Sequence, residues 1–202
     1  MATIGATAAG IVCKNGVVLG SEKRIAYGYT ILSKAGKKVF KITNYLGIAC
    51  AGLVSDMQLI ARSLMAEANL YELDYKRPMP VKSLAKLLSV ILYNRKQMPY
   101  ITETIVAGID SSGPHLFVLD PLGSLIEDKY AAVGSGSTLA ISIIEAGYRA
   151  DMSVEEGEEL IIRAIKAAIE RDAISGDGID TVSYTHLRAH ETSLHLVCRL
   201  LL

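Results

Sequence analysis

Apolar positions along the chain follow two periods, one near two residues and one near 3.6. At the start, small and apolar residues run from Ala6 to Cys13, turn at Lys14-Asn15-Gly16 and return through Val17-Val18-Leu19. Asn-Gly between two apolar runs predicts a hairpin whose two central residues take positive φ. Leu46–Gly52 is short, apolar and closed by glycine, which predicts a buried strand. Ser55 then reads as a helix cap with Gln58 as its capping-box partner. The stripe that follows is Leu59, Ile60, Leu64, Ala68 and Tyr71, and it stops at Arg77-Pro78-Met79-Pro80, where two prolines cannot continue a helix. A second helix is expected over 81–95, burying Leu84, Leu87, Leu88, Ile91 and Leu92.

Four short strands follow, over 104–110, 115–120, 124–127 and 130–133, with turns at 111–114 and 121–123. Gly134-Ser135-Gly136-Ser137 opens a helix that runs through Tyr148. Ser153 and Glu156 form a Ser-x-x-Glu capping box before Leu160, Ile161, Ala164, Ile165 and Ala168. That helix ends near Arg171-Asp172, and residues 175–180 lead into a strand. Strands, two helices, strands, two helices and a strand make an α+β order, which two sheets sandwiched between two helical layers would satisfy.

A chain of 202 residues suits one domain. Charge is balanced, 21 basic against 21 acidic residues, which favours neither nucleic acid nor an anionic membrane as partner. Cys13, Cys50 and Cys198 are too few and too scattered for a disulfide framework or a zinc site and read as small buried hydrophobes in a reducing compartment. The sequence carries neither a signal-peptide pattern nor an apolar run long enough to span a bilayer, so a cytoplasmic chain is expected. His186 and His190 stand four apart, a metal-compatible spacing, but no acidic or cysteine ligands match them. No metal or cofactor is expected.

Taken singly, the polar motifs are bland. Lys38 beside Lys37 reads as a solvated strand-end charge, and Gly134-Ser135-Gly136-Ser137 as a turn with no Walker lysine after it. Taken in order, the stretch 6–38, the glycine-serine run at 134–137 and the stretch 171–180 resemble the beta subunits of the proteasome core particle, which are N-terminal-nucleophile hydrolases. The resemblance spans about residues 6–181. It implies a four-layer α/β/β/α sandwich, a short propeptide-like leader at 1–5 ending in Gly5, and a beta-type domain at 6–181. Residues 182–202 have no counterpart in the family and resemble translated sequencing-adapter read-through, so the family's last strands are expected to be missing.

The chemistry implied by the resemblance is threonine-type peptide hydrolysis. A hydroxyl attacks, its own α-amino group serves as base, a lysine held by a carboxylate supports that amine, and a glycine N–H stabilises the oxyanion. Carried over residue by residue, the carboxylate falls on Glu22, the lysine on Lys38 and the glycine N–H on Gly52. The groups near the amine fall on Ser135, Asp172 and Ser175, and the substrate pocket on Ile25, Gly36, Cys50 and Val54. The nucleophile position falls on Ala6, which has no hydroxyl. Thr7 is the nearest alternative, but a shift of one residue on a strand turns the side chain to the other sheet face, away from Lys38 and Glu22.

The sequence resembles the crenarchaeal kind of beta subunit lacking the threonine, which implies a non-catalytic structural subunit. Its implied partners are proteasome alpha subunits and a catalytic beta subunit in heptameric rings, with a regulatory ATPase acting through the alpha rings and unfolded polypeptides as substrates. Two enzyme readings stand beside it. One is an active threonine-type subunit in which processing exposes Thr7. The other is a free hydrolase of small amides, for which no N-terminal Cys, Ser or Thr is present after removal of Met1.

Overall fold

The computed structural model describes residues 5–28 and 30–185, together with the backbone of 197–199. His186 and His190, and all of the tail beyond 185 except that backbone, lie outside the described residues. The strands are Thr7–Cys13 (β1), Gly16–Glu22 (β2), Ile25–Tyr27 (β3), Thr30–Ser33 (β4), Val39–Lys41 (β5) and Leu46–Gly52 (β6). After helices Val54–Tyr75 (α1) and Val81–Asn94 (α2) come Thr102–Asp110 (β7), Gly113–Leu119 (β8), Leu125–Asp128 (β9) and Tyr130–Gly134 (β10). Helices Ser137–Gly147 (α3) and Val154–Arg171 (α4) precede Ile179–Thr185 (β11) and Val197–Arg199 (β12).

Two five-stranded sheets result, ordered β10-β1-β2-β11-β12 and β5-β6-β7-β8-β9, with β3-β4 as a separate small hairpin. Every pairing is antiparallel. Period-2 alternation sends successive side chains of β1 to opposite faces. Ala6 and Ala8 join Val17, Leu19, Ala49, Ala51 and Leu116 in the core between the sheets, while Ala9 and Ile11 pack under Ile144, Leu160, Ile161 and Ile165. On the far side, α1 and α2 cover the second sheet through Met57, Leu64, Leu84 and Leu88. The order is helices, sheet, sheet, helices: the four-layer α+β sandwich implied by the sequence.

Several local expectations change. The hairpin link is Lys14-Asn15, with Cys13 opposite Gly16, and neither Asn15 nor Gly16 has positive φ. Gly16 is needed for a different reason: a Cβ there would lie 2.3 Å from the Tyr184 carbonyl oxygen on β11. Ser55 does not cap α1. Leu53 is the N-cap and no side chain bonds the helix start. Leu59 is exposed and Met57 and Ala61 take the inward positions, because the stripe follows the sheet surface beneath it. The capping box on α4 does form, with Ser153 Oγ accepting from Glu156 N at 3.2 Å and Glu156 Oε2 accepting from Ser153 N at 2.8 Å. Finally, β11 runs past the expected boundary at 181: Val182 and Tyr184 are buried between the sheets and pair with Leu19 and Val17.

Candidate functional site

The site forms where the start of β1 meets the turn after β10 and the loop between α4 and β11. The Ala6 carbonyl accepts the Ser135 N–H at 2.8 Å, and the Ser135 hydroxyl oxygen lies 3.3 Å from it. Gly134 makes this approach possible. Its φ is +95°, and a Cβ would stand 1.9 Å from the Ala6 oxygen. The Ala6 methyl faces the inter-sheet core near Ala51, and the residue is 1% exposed.

Thr7 points the other way. Its hydroxyl lies 2.8 Å from Ser175 Oγ. Ser175 in turn donates to Asp172 Oδ2 at 2.7 Å, so Thr7 is left as the donor to Ser175. Asp172 Oδ2 also accepts from Ser135 Oγ at 2.5 Å, and its Oδ1 accepts the Ile174 N–H at 3.2 Å. Thr7, Ser135, Asp172 and Ser175 thus form one hydrogen-bonded chain.

Glu22 and Lys38 form the second group. Lys38 reads in isolation as a solvated end-of-strand charge, yet its side chain is 2% exposed and its ammonium bonds Glu22 Oε1. Lys38 Nζ also donates to the Arg24 carbonyl at 2.6 Å. The Glu22 carboxylate accepts three backbone N–H groups as well: Thr7 at 3.4 Å, Arg24 at 2.7 Å and Gly176 at 3.1 Å. It therefore ties β1, the end of β2, the approach to β5 and the α4–β11 loop together. Burial pushes the Glu22 carboxyl above its ordinary range and the Lys38 ammonium below its own, and the attraction between the two opposes both shifts.

Ile25 and Val54 line a cavity of about 200 Å³ together with Leu32, Lys38, Gly52 and Leu53. Gly36 sits directly against Ile25. Cys50 belongs elsewhere. It is fully buried in the core under α1 and α2, with Sγ 3.7 Å from Thr104 Oγ1, and burial pushes its thiol up to about 12. Strand alternation explains this, since Ala49 and Ala51 on either side face the inter-sheet core instead. Gly52 also borders a groove of about 360 Å³ on the other side of Ala6, lined by Ile101, Thr102, Glu103 and Ser135.

Sequence pattern alone gives no role to Arg24 or Asp177. Arg24 Nε bonds Asp177 Oδ2 at 2.6 Å, and its guanidinium donates to the Ala173 carbonyl at 3.1 Å, which pins the α4–β11 loop to the end of β2. The only sequence signal was Asp177-Gly178, a turn pair in which Asp177 takes φ 66°. Among the described residues no cluster of three or more His, Cys, Asp or Glu could hold a metal ion. No described helix is long and apolar enough to cross a membrane.

A four-layer sandwich with a buried lysine–carboxylate pair beside the start of inner strand β1 defines the class: an N-terminal-nucleophile hydrolase fold. The family described as "Proteasome subunit" matches residues 2–183, and the chain belongs to that family. It is 55% identical over 179 residues to proteasome subunit beta 2 of Pyrobaculum neutrophilum, covering 89% of this chain and 88% of the relative. It is 53% identical over 178 residues to proteasome subunit beta 1 of Ignicoccus hospitalis, covering 88% and 89%. Proteasome subunit beta 2 of Caldivirga maquilingensis is 50% identical over 190 residues, covering 94% of this chain and 95% of that protein.

Proposed function

We propose that this chain is a non-catalytic beta subunit of a proteasome core particle. It completes a ring beside alpha subunits and a catalytic beta subunit, inside which unfolded polypeptides are degraded in the cytoplasm under a regulatory ATPase. The observation that carries this reading is Ala6: a methyl group stands where the family's chemistry needs a hydroxyl, with neither a lone pair to attack a carbonyl nor a proton to pass on. Thr7 does not replace it, because its hydroxyl is engaged with Ser175 on the opposite face of β1.

In this reading the leader of residues 1–5 stays attached. Glu22, Lys38, Asp172 and Ser175 serve as a buried clasp that holds β1 to the α4–β11 loop. Gly52 and the small cavity beside it form an interior wall. The test is reassembly with alpha subunits and no second beta subunit, followed by peptidase assay and N-terminal sequencing. No turnover and an intact leader are expected. Turnover with Thr7 as the new N-terminus would overturn the reading and make the chain a protease in its own right.

A further inference from the structure

A further cavity lies where the α1–α2 link meets the start of β6 and the end of β7. It has a volume of about 410 Å³, within the range of small-molecule sites, and its walls are Tyr45, Pro78, Pro80 and Ile109. Three of those walls are rigid or held. The two prolines have fixed φ. The Tyr45 hydroxyl donates to Glu72 Oε1 and accepts the Met79 N–H at 3.0 Å, so the ring is fastened at its polar end.

The polar groups around this cavity divide into committed and uncommitted. Asp110 is committed, its Oδ2 accepting the Val81 N–H at 3.0 Å and its Oδ1 accepting the N–H and hydroxyl of Ser112 at 2.8 and 2.5 Å. Arg77 and Ser111 also line the cavity, and their side chains have no hydrogen-bond or ion-pair partner among the described residues. The cavity thus joins apolar walls to two exposed donors with no partner among the described residues, one of them a guanidinium, whose planar fork matches a carboxylate.

We propose that this cavity binds a small organic carboxylate with a flat or branched apolar body. The carboxylate pairs with Arg77, with the Ser111 hydroxyl as a second donor, and the apolar part lies between Tyr45, the prolines and Ile109. This site is independent of the reading of Ala6 and stands whether or not the chain cleaves peptides.

The test is calorimetric titration of the full chain with naphthoate, using naphthamide as an uncharged control. Saturable binding of one naphthoate per chain is expected, falling roughly tenfold or more in Arg77→Gln, because a charge-assisted pair is lost. Arg77→Lys should recover part of that loss, and naphthamide affinity should not change between the three proteins. Arg77 has no partner among the described residues, so Arg77→Gln should unfold at the same temperature as the parent. Absence of saturable naphthoate binding overturns the proposal, as does equal naphthoate affinity in Arg77→Gln and the parent.

Discussion

The hydroxyl of Thr7 lies 2.8 Å from Ser175 Oγ, across 168 positions of sequence and on the helix-covered face of β1. Ala6, one residue earlier, turns its methyl into the inter-sheet core beside Ala51. The two candidate nucleophile positions therefore address different networks: Thr7 the Ser175-Asp172-Ser135 chain, and Ala6 the groove bordered by Gly52.

On the proposed reading, a hydroxyl placed at position 6 should restore the chemistry. In Ala6→Thr, assembled with alpha subunits, cleavage after Gly5 is expected, and peptidase turnover should rise from background. Intact mass reports the loss of the leader directly. An Ala6→Thr protein that keeps residues 1–5 would show that this position is not the missing nucleophile.

Breaking the buried ion pair on one side should cost much more than breaking both. Lys38→Met leaves the Glu22 carboxylate buried without its cation, a loss of about 3–5 kcal/mol in unfolding free energy. Glu22→Gln together with Lys38→Met should recover a good part of this. Recovery stays incomplete because the carboxylate also accepts the N–H groups of Thr7, Arg24 and Gly176. Denaturant unfolding of the three variants measures both values. If Lys38→Met changed neither stability nor assembly, the clasp role would be wrong.

The Arg24–Asp177 pair should show in acid. Arg24, hydrogen-bonded to Asp177, holds that carboxyl below its ordinary value of 3.8. A depressed carboxyl contributes stability above its unfolded pKa and loses it as pH falls through the folded one. Asp177→Asn should therefore be less stable than the parent near neutrality, with the gap closing as pH drops below about 3.8. Asn tolerates the left-handed backbone at this position, so the comparison isolates the charge. A gap independent of pH would locate the effect in the backbone instead.

Tyr184 offers a gain. Its hydroxyl is buried against Gly47 with no hydrogen-bond partner among the described residues. Tyr184→Phe keeps the ring and removes the unpaired group, and should raise unfolding stability by about 1–2 kcal/mol. A fall in melting temperature would mean that the hydroxyl has a partner.

Much of the fold was legible in the sequence. Strand and helix periods are properties of near neighbours, so β6, α2, β7 and α4 could be placed to within a few residues, and the Ser153–Glu156 capping box follows from residues three apart. The alternation of β1 likewise separates Ala6 from Thr7 before any tertiary contact is known. The motif order carried the family.

What only the tertiary structure decided are contacts between distant segments, which no local pattern encodes. Gly16 is a glycine because β11 brings the Tyr184 carbonyl against it, not because its own turn needs positive φ. Lys38 is a buried partner rather than a surface charge because the end of β2 brings the Glu22 carboxylate and the Arg24 carbonyl onto its ammonium. Cys50 leaves the pocket for the outer core because the twist and stacking of two sheets choose which face each strand position meets. The joining of Arg24 to Asp177 depends in the same way on the packing of α4 across the first sheet, a long-range result of burial that sequence spacing alone does not fix.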